Sequence, residues 1–251
     1  MAWTETESPS FTARHEERDG DDVVALLELL EGTRERLGAA FPSVPERTGV
    51  VIHGSNTALT LAQPYIPIVR RLTAPAARRY LVGWFGRDTV HVLAPRILRG
   101  RASNVPGSLD MAMTAPAALY AQLVVGHNNP QLPPPFRAGR FVRYLRWAWL
   151  PNGAAQWFSG QTAFARPAIA RRLREGPEPS FPPSLRDAIL LGGTVFDLVA
   201  REEGEEEAVK LACRLPPGGP RRALVYAFKG RPLVHTEGTW RAHLSRIAGQ
   251  A

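Results

Sequence analysis

The N-terminal part of the chain contains two different patterns of apolar and polar positions. Residues 10–16, SFTARHE, alternate between the two classes, which predicts a first strand. Residues 21–41 repeat apolar side chains at helical spacing, and Asp21 or Asp22 could cap the start of that helix. Its predicted buried face comprises Val23, Leu26, Leu27, Leu30, Leu37 and Phe41.

A second strand and a hairpin complete the predicted N-terminal half. Residues 48–54, TGVVIHG, form a short apolar run that is typical of a central strand. Residues 78–95 predict a hairpin in which GRD, at 86–88, is the turn. The order strand, helix, strand, hairpin indicates an α+β fold with a mixed sheet and an edge hairpin, because a repeating βαβ pattern is absent.

From residue 109 onward the pattern becomes mainly helical. Residues 114–128, TAPAALYAQLVVGHN, have a candidate N-cap in Thr114 and a proline, Pro116, in the first turn. Their apolar side chains lie almost all round the predicted helix, so we expect it to be central and buried. Residues 128–140, which contain four prolines, predict a loop.

Further helices fill the predicted C-terminal half. Pro151 and Asn152 are expected to start a helix that Gly160 ends. The remaining segments with helical spacing are 165–176, 182–204, 205–215 and 239–249. We therefore expect one domain, 1–251, with an N-terminal α/β lobe at about 10–108 and a helical lobe at about 109–251.

The cysteine content, the apolar runs and the net charge of the chain limit which functional classes are possible. Cys213 is the only cysteine, which excludes a disulfide within the chain and a thiolate zinc cluster, and its setting predicts a small buried side chain. No signal peptide or membrane span is expected, so the predicted location is cytoplasmic. The net charge of +8 comes from arginines scattered along the chain, so charge alone does not favour nucleic-acid binding.

Residues 149–157, WLPNGAAQW, carry a resemblance to a known family. The segment is similar to the Trp-Leu-x-Glu-Gly-x-Ala-x-Tyr/Trp element of gluzincin-type zinc metallopeptidases, the peptidase MA-like group. Trp149, Leu150, Gly153, Ala155 and Trp157 match the element. The resemblance implies a zincin-like fold, with Asn152 in the place of the glutamate that binds zinc in that family.

The resemblance also implies which residues replace the family's His-Glu-x-x-His motif. It places Ala121 and Gln122 at the first His and the Glu, and Val125 at the second His. Alanine and valine offer no ligand atom, and an amide cannot act as a general base, so we expect neither zinc nor another cofactor. Gln122 and Asn152 are expected to form a hydrogen bond with each other or with buried water.

Three other side chains are candidate binding residues. In the resembling family the edge hairpin borders the substrate cleft and can pair with an extended peptide, which makes His91 a candidate. Trp149 and Trp157 are the other two. They belong to an aromatic group that is expected to pack the predicted helix at 151–160 against the vestigial site. That group also contains Phe141, Tyr144, Trp147 and Phe158.

The expected function is that of a catalytically inactive, metallopeptidase-like protein with a binding or scaffold role. Its expected partner is a peptide or protein in the vestigial cleft. One alternative is a hydrolase with unconventional metal ligands, for which His127, His91 and Asp110 would have to converge. Another alternative is a basic nucleic-acid-binding protein, which requires the arginines to gather on one face.

Overall fold

A computed structural model describes residues 2–134 and 136–249 and has an α+β architecture. Its strands are β1 (Trp3–Glu7), β2 (Phe11–Glu16), β3 (Thr48–His53), β4 (Gly83–Phe85) and β5 (Thr89–Leu93). They form one sheet in the order β1-β2-β3-β5-β4. The three central strands are parallel, and both edge strands are antiparallel to their neighbours. The predicted mixed sheet and hairpin are therefore confirmed.

Helices make up most of the remaining described chain. They are α1 (Gly20–Ala40), α2 (Asn56–Ala62), α3 (Tyr65–Leu72), α4 (Pro75–Arg78), α5 (Pro95–Arg101), α6 (Ser108–Met113), α7 (Ala115–Asn128), α8 (Ala138–Arg146), α9 (Trp149–Phe158), α10 (Gln161–Phe164), α11 (Arg166–Glu175), α12 (Leu185–Glu203), α13 (Glu205–Cys213), α14 (Pro220–Ala227) and α15 (Leu233–Gly249). No helix within the described ranges is long and apolar enough to cross a membrane.

Helix α1 has the buried face that its spacing predicts, but its start differs. All six residues of the predicted core face, including Phe41 just after the helix, are buried. The helix begins at Gly20, so Asp21 and Asp22 lie in its first turn and neither is the cap. Asp22 instead forms an ion pair with Arg99 of α5, and Asp19 accepts a hydrogen bond from Arg96 at 2.8 Å. These carboxylates join α1 to the segment that follows the hairpin.

Two predicted helix starts in the C-terminal half need correction. Helix α9 begins at Trp149, so Pro151 and Asn152 are already inside its first turn. Proline is tolerated there because the first amide groups of a helix have no partner within it. Thr114 precedes α7 as expected, but its hydroxyl donates to the carbonyl of Asp110 at 2.7 Å and caps nothing.

The proline-containing loop predicted at 128–140 is present in the described residues. It runs from the end of α7 to Ala138, where α8 begins, and Pro135 lies outside the described residues.

Helix α9 ends where the sequence predicts. Gly160 follows it with φ at 78°, a left-handed conformation that glycine adopts without strain. The prediction that Gly160 ends this helix is therefore confirmed.

Helices α7 and α9 lie at the centre of the molecule. Helix α7 packs against α1, β4 and β5 on the sheet side and against α9 on the other. Helix α9 lies between α7 and α12, and eight of its ten residues are buried. The buried hydrophobic residues of sheet and helices form one connected cluster from Phe11 to Ile247. Any polar group on the facing surfaces of α7 and α9 must therefore find a partner inside the protein.

Two glycines allow α9 and α12 to approach each other closely. A Cβ atom on Gly192 of α12 would lie 2.8 Å from the carbonyl oxygen of Trp149 and 2.9 Å from the Cα of Gly153. Real Cβ atoms are not found at such distances, so backbone atoms would have to move. Because both obstacles are backbone, neither can rotate away.

We predict that Gly192→Ala lowers the free energy of unfolding by about 1–3 kcal/mol, since it overpacks the helix crossing. Gly238→Ala is the matched control, because Gly238 lies within α15 with no atom near its would-be Cβ. That change should raise stability by up to about 1 kcal/mol through helix propensity. Urea unfolding measures both, and equal effects of the two changes would contradict the close crossing.

Candidate functional site

A chain of buried hydrogen bonds joins α7, α8 and α9. The side-chain amide of Gln122 donates from Nε2 to Oδ1 of Asn152 at 2.9 Å. Asn152 donates in turn to the hydroxyl of Tyr144 at 3.1 Å and to the carbonyl of Ala148 at 2.7 Å. All three side chains are buried. The predicted contact between Gln122 and Asn152 is confirmed, and Tyr144 is a third member that the sequence pattern did not indicate.

The residues around this chain of hydrogen bonds do not fit zinc. Ala121 and Val125 lie four residues apart on α7, so they occupy one face of the helix, and both are fully buried without a ligand atom. The neutral amides of Gln122 and Asn152 are weak substitutes for the imidazole and carboxylate ligands that zinc takes. A zinc ion would therefore lack its protein ligands at this position.

The same cluster contains no group that exchanges protons near neutral pH. Burial raises the pKa of Tyr144 to about 12, although its hydrogen bonds with Asn152 and Gln122 act in the opposite direction. The hydroxyl therefore stays neutral, and the two amides do not titrate. General acid–base catalysis needs a group whose pKa is close to the working pH, which these three side chains do not provide.

Only a small cavity remains between the edge strand and the hydrogen-bonded cluster. Its volume is about 50 Å³, and its walls include Gly83, Leu119, Gln122 and Asn152. A cavity of this size has room for ordered water but not for a peptide. Leu119 packs so closely on Gly83 that even a methyl group on the glycine would collide with it. Helix α7 and β4 are therefore in direct contact, without a peptide-sized gap between Leu119 and Gly83.

Aromatic side chains cover the edge strand as well. Trp84 of β4 packs on Tyr65, Phe136 and Tyr144, with ring centroids 6.3, 5.1 and 5.7 Å away. All three residues of β4 are buried. An extended peptide could not pair with this edge unless the aromatic cover moved first.

His91 is not at the edge of the sheet. Its strand, β5, lies between β3 and β4, so the prediction that this residue borders a peptide-binding edge is wrong. Its ring stacks on that of His53, and Nδ1 of His91 lies 3.0 Å from Nε2 of His53. Burial and the neighbouring His91 lower the pKa of His53 to about 4, and burial lowers the pKa of His91. Both rings are therefore neutral at physiological pH.

Trp149 and Trp157 have different surroundings from His91 and from each other. Trp149 is buried in the core, where its ring is tilted against Phe196 at 6.3 Å. Trp157 is half-buried and meets Phe158 edge to face at 4.8 Å. The three candidate binding residues therefore do not form one site.

The aromatic group expected around α9 divides in two. Phe141 and Tyr144 stack at 6.4 Å and join the cover of β4. Phe158 packs instead on Phe41 and Phe196, at 4.7 and 6.3 Å. Only the first half packs beside Asn152, and the second half contacts the far end of α9 between α1 and α12.

The groups required for an unconventional metal site are not brought together. His127 is exposed at the C-terminal end of α7, Asp110 is exposed on α6, and the ring of His91 contacts His53. Within the described ranges, no group of three His, Cys, Asp or Glu side chains could hold a metal ion. Cys213 is half-buried, and burial raises the pKa of its thiol to about 11, so it is not a reactive thiolate.

A second polar site, which the sequence pattern did not indicate, lies at the other end of α9. Nε2 of His243 lies 2.8 Å from Oδ2 of Asp197, beside a cavity of about 230 Å³. The two residues are on α12 and α15, far apart in the chain, and neither belongs to a motif. No local spacing could have shown that they meet.

Comparison with known proteins identifies no relative of this chain. No family model, curated protein or solved structure matches the chain.

We predict that Gln122 and Asn152 depend on each other energetically. Gln122→Met or Asn152→Leu alone leaves a buried polar group without its partner, which should cost about 1–3 kcal/mol in urea unfolding. The double variant should cost less than the sum of the two single variants by about 1 kcal/mol, because no amide is then left unpaired.

The control is Gln122→Met combined with Asn129→Leu. Asn129 is a buried amide that donates to the carbonyl of Ala212 at 3.0 Å, and it does not contact Gln122. These two changes should add within about 0.5 kcal/mol. Additive costs for Gln122 and Asn152 as well would contradict the coupling.

The histidine pair should make stability fall in mild acid. In the unfolded state His53 takes up a proton as the pH falls below 6.5, whereas in the folded state it is not protonated until the pH falls to about 4. The free energy of unfolding therefore decreases as the pH falls through this window. His53→Asn should weaken that decrease in chemical unfolding measured from pH 7 to pH 4.5.

His127→Asn is the matched control, because His127 is exposed and lies outside the stacked pair of His53 and His91. It should leave the pH dependence of the wild-type protein unchanged. Parallel curves for wild type and His53→Asn would show that the buried pair is not the source of the acid sensitivity.

Proposed function

We propose that the protein is a catalytically inactive relative of the gluzincin-type metallopeptidases, with a zincin-like fold and a scaffold or binding role. The hydrogen bond between Gln122 and Asn152 carries this proposal. The resemblance puts Gln122 at the position of the general base and Asn152 at that of the third zinc ligand. Both positions would face one metal ion, so they should be neighbours in space.

The helical geometry supports the same register. Ala121 and Val125 are four residues apart on α7, the spacing at which two histidines can reach one zinc ion. Asn152 is on the helix that packs against α7 and contacts the residue beside Ala121. An arbitrary alignment of the two segments would not require these side chains to meet.

The chemistry of the cluster supports loss of catalysis. The reaction of this family needs a metal to polarise the scissile carbonyl and a base to activate water. Alanine, valine and two amides supply neither. Each amide does, however, give the other a hydrogen-bond partner inside the protein. The pair is therefore stable at the position that the resemblance assigns to zinc.

The closed cleft favours a scaffold role over peptide binding at the vestigial site. A peptide would have to separate Leu119 from Gly83 and displace the aromatic cover of Trp84. Both changes expose apolar surface, which costs free energy. A peptide in the cleft therefore ranks second. A cytoplasmic location is part of the proposal on the basis of the sequence alone.

We predict that restoring three ligands restores zinc binding. The variant A121H/V125H/N152E places two histidines and a carboxylate at the positions of the family's ligands, and three protein ligands plus water are enough for zinc. Gln122 can still donate to the new carboxylate. Elemental analysis after incubation with zinc and buffer exchange should find one zinc ion per chain, and zinc should raise the melting temperature.

The control variant A121H/L123H/N152E has the same composition of new ligands with the second histidine on another face of α7. Leu123 is as fully buried as Val125, so the two variants disturb packing to a similar degree. It should take up no stoichiometric zinc. A folded A121H/V125H/N152E protein, judged by circular dichroism, that also takes up none would contradict the proposed register.

A further inference from the structure

The cavity at the far end of α9 is lined mainly by positive charge. It has a volume of about 230 Å³ and lies between the α9–α11 segment and helices α12 and α15. Its charged walls are Arg166, Arg201 and Arg246, with Asp197 as the one carboxylate among the lining residues. The three arginines and Asp197 together give the lining about two net positive charges.

Within the described part of the chain, two of the three arginines have no partner and are free to bind a ligand. Arg201 lies 3.2 Å from Asp197, and Nε2 of His243 lies 2.8 Å from the same carboxylate, so Arg201 already has an acidic partner. Burial would raise the pKa of Asp197, but its hydrogen bond with His243 and the charge of Arg201 hold it below its ordinary value. Arg166 and Arg246 form no ion pair or hydrogen bond with any residue of the described chain.

Unpartnered polar atoms accompany these arginines. The hydroxyl of Thr162 and Nδ1 of His243 are both shielded from solvent and have no hydrogen-bond partner in the described part of the protein. His243 is only 1% exposed. Both residues line the cavity. The hydroxyl of Thr162 lies against Gly193 of α12, and solvent does not reach the ring nitrogens of His243, so a ligand in the cavity would have to bind through the arginines.

The start of α11 adds a partial positive charge at the same place. This ten-residue helix begins at Arg166, has no acidic residue in its first turn and has no side-chain cap. The first amide groups of such a helix have no partner within it, and its dipole favours an anion. The helix end therefore reinforces the preference that Arg166 and Arg246 establish.

We propose that this cavity binds the phosphate group of a small phosphomonoester. Two net positive charges match a group that carries about −1.5 to −2 at pH 7. Guanidinium groups bind phosphate oxygens through paired hydrogen bonds. Trp157 and Ile247 form the apolar part of the lining, which suits the organic half of the ester. This proposal does not depend on the proposed loss of peptidase activity.

Isothermal titration calorimetry with phenyl phosphate tests the proposal on the full chain. We expect saturable binding that weakens as salt is added, because charge supplies much of the attraction. Arg166→Ala and Arg246→Ala should each weaken it about tenfold or more, the value of one lost hydrogen bond to a charged group. Both residues are exposed, so neither change should disturb folding.

Arg174→Ala is the matched control, since Arg174 is an exposed arginine on the same helix α11 but outside the cavity lining. It should leave the dissociation constant for phenyl phosphate unchanged. Benzoate carries one negative charge on a similar ring and should bind about tenfold more weakly than phenyl phosphate. Absence of saturable binding, equal affinity for benzoate, or equal weakening by Arg174→Ala would each overturn the proposal.

Discussion

The buried hydrogen bond between Gln122 and Asn152 joins α7 and α9, the two helices at the centre of the molecule. Helix α7 contacts the sheet, α12 supports α9 from the opposite side, and the two amides meet between α7 and α9. An amide buried without a partner costs free energy, so neither side chain could remain there alone. The pair therefore constrains how α7 and α9 are placed relative to each other.

That constraint explains several features of the surrounding structure. Asn152 can reach Gln122 only if α9 lies close to α7, and the glycines at 153 and 192 let α12 follow α9 inward. Tyr144 completes the hydrogen bonding of Asn152 while its ring belongs to the aromatic cover of β4. One polar cluster thus connects the helical half of the chain to the edge of the sheet, and this packing closes the region where a cleft would lie.

Long periodic elements were predictable from the sequence, and short or exposed ones were not. Helix α1 and the β4–β5 hairpin follow from apolar spacing and a turn, because both bury a full face. Strand β1 is exposed along most of its length and carries no apolar pattern, and helices α2 to α6 are too short for a helical period to be recognised. The start of α9 was misplaced because proline was expected at the first position rather than the third.

The candidate site was predictable only where the resemblance supplied a register. The contact between Gln122 and Asn152 follows from that register, whereas the position of His91 depended on knowing which strand of the hairpin is the edge. The meeting of Asp197 with His243 depends on how α12 and α15 cross, which no local pattern encodes. Tertiary packing, rather than residue type, decided each of these outcomes.

The metal content of the natural protein shows whether the buried amides leave room for a zinc ion. Purified protein would be incubated with zinc, exchanged into metal-free buffer and measured by elemental analysis, with circular dichroism confirming that it is folded. The proposal that two paired amides occupy the ligand positions predicts no stoichiometric zinc. One tightly held zinc ion per chain would contradict the account, because it would require a ligand set that the described residues do not provide.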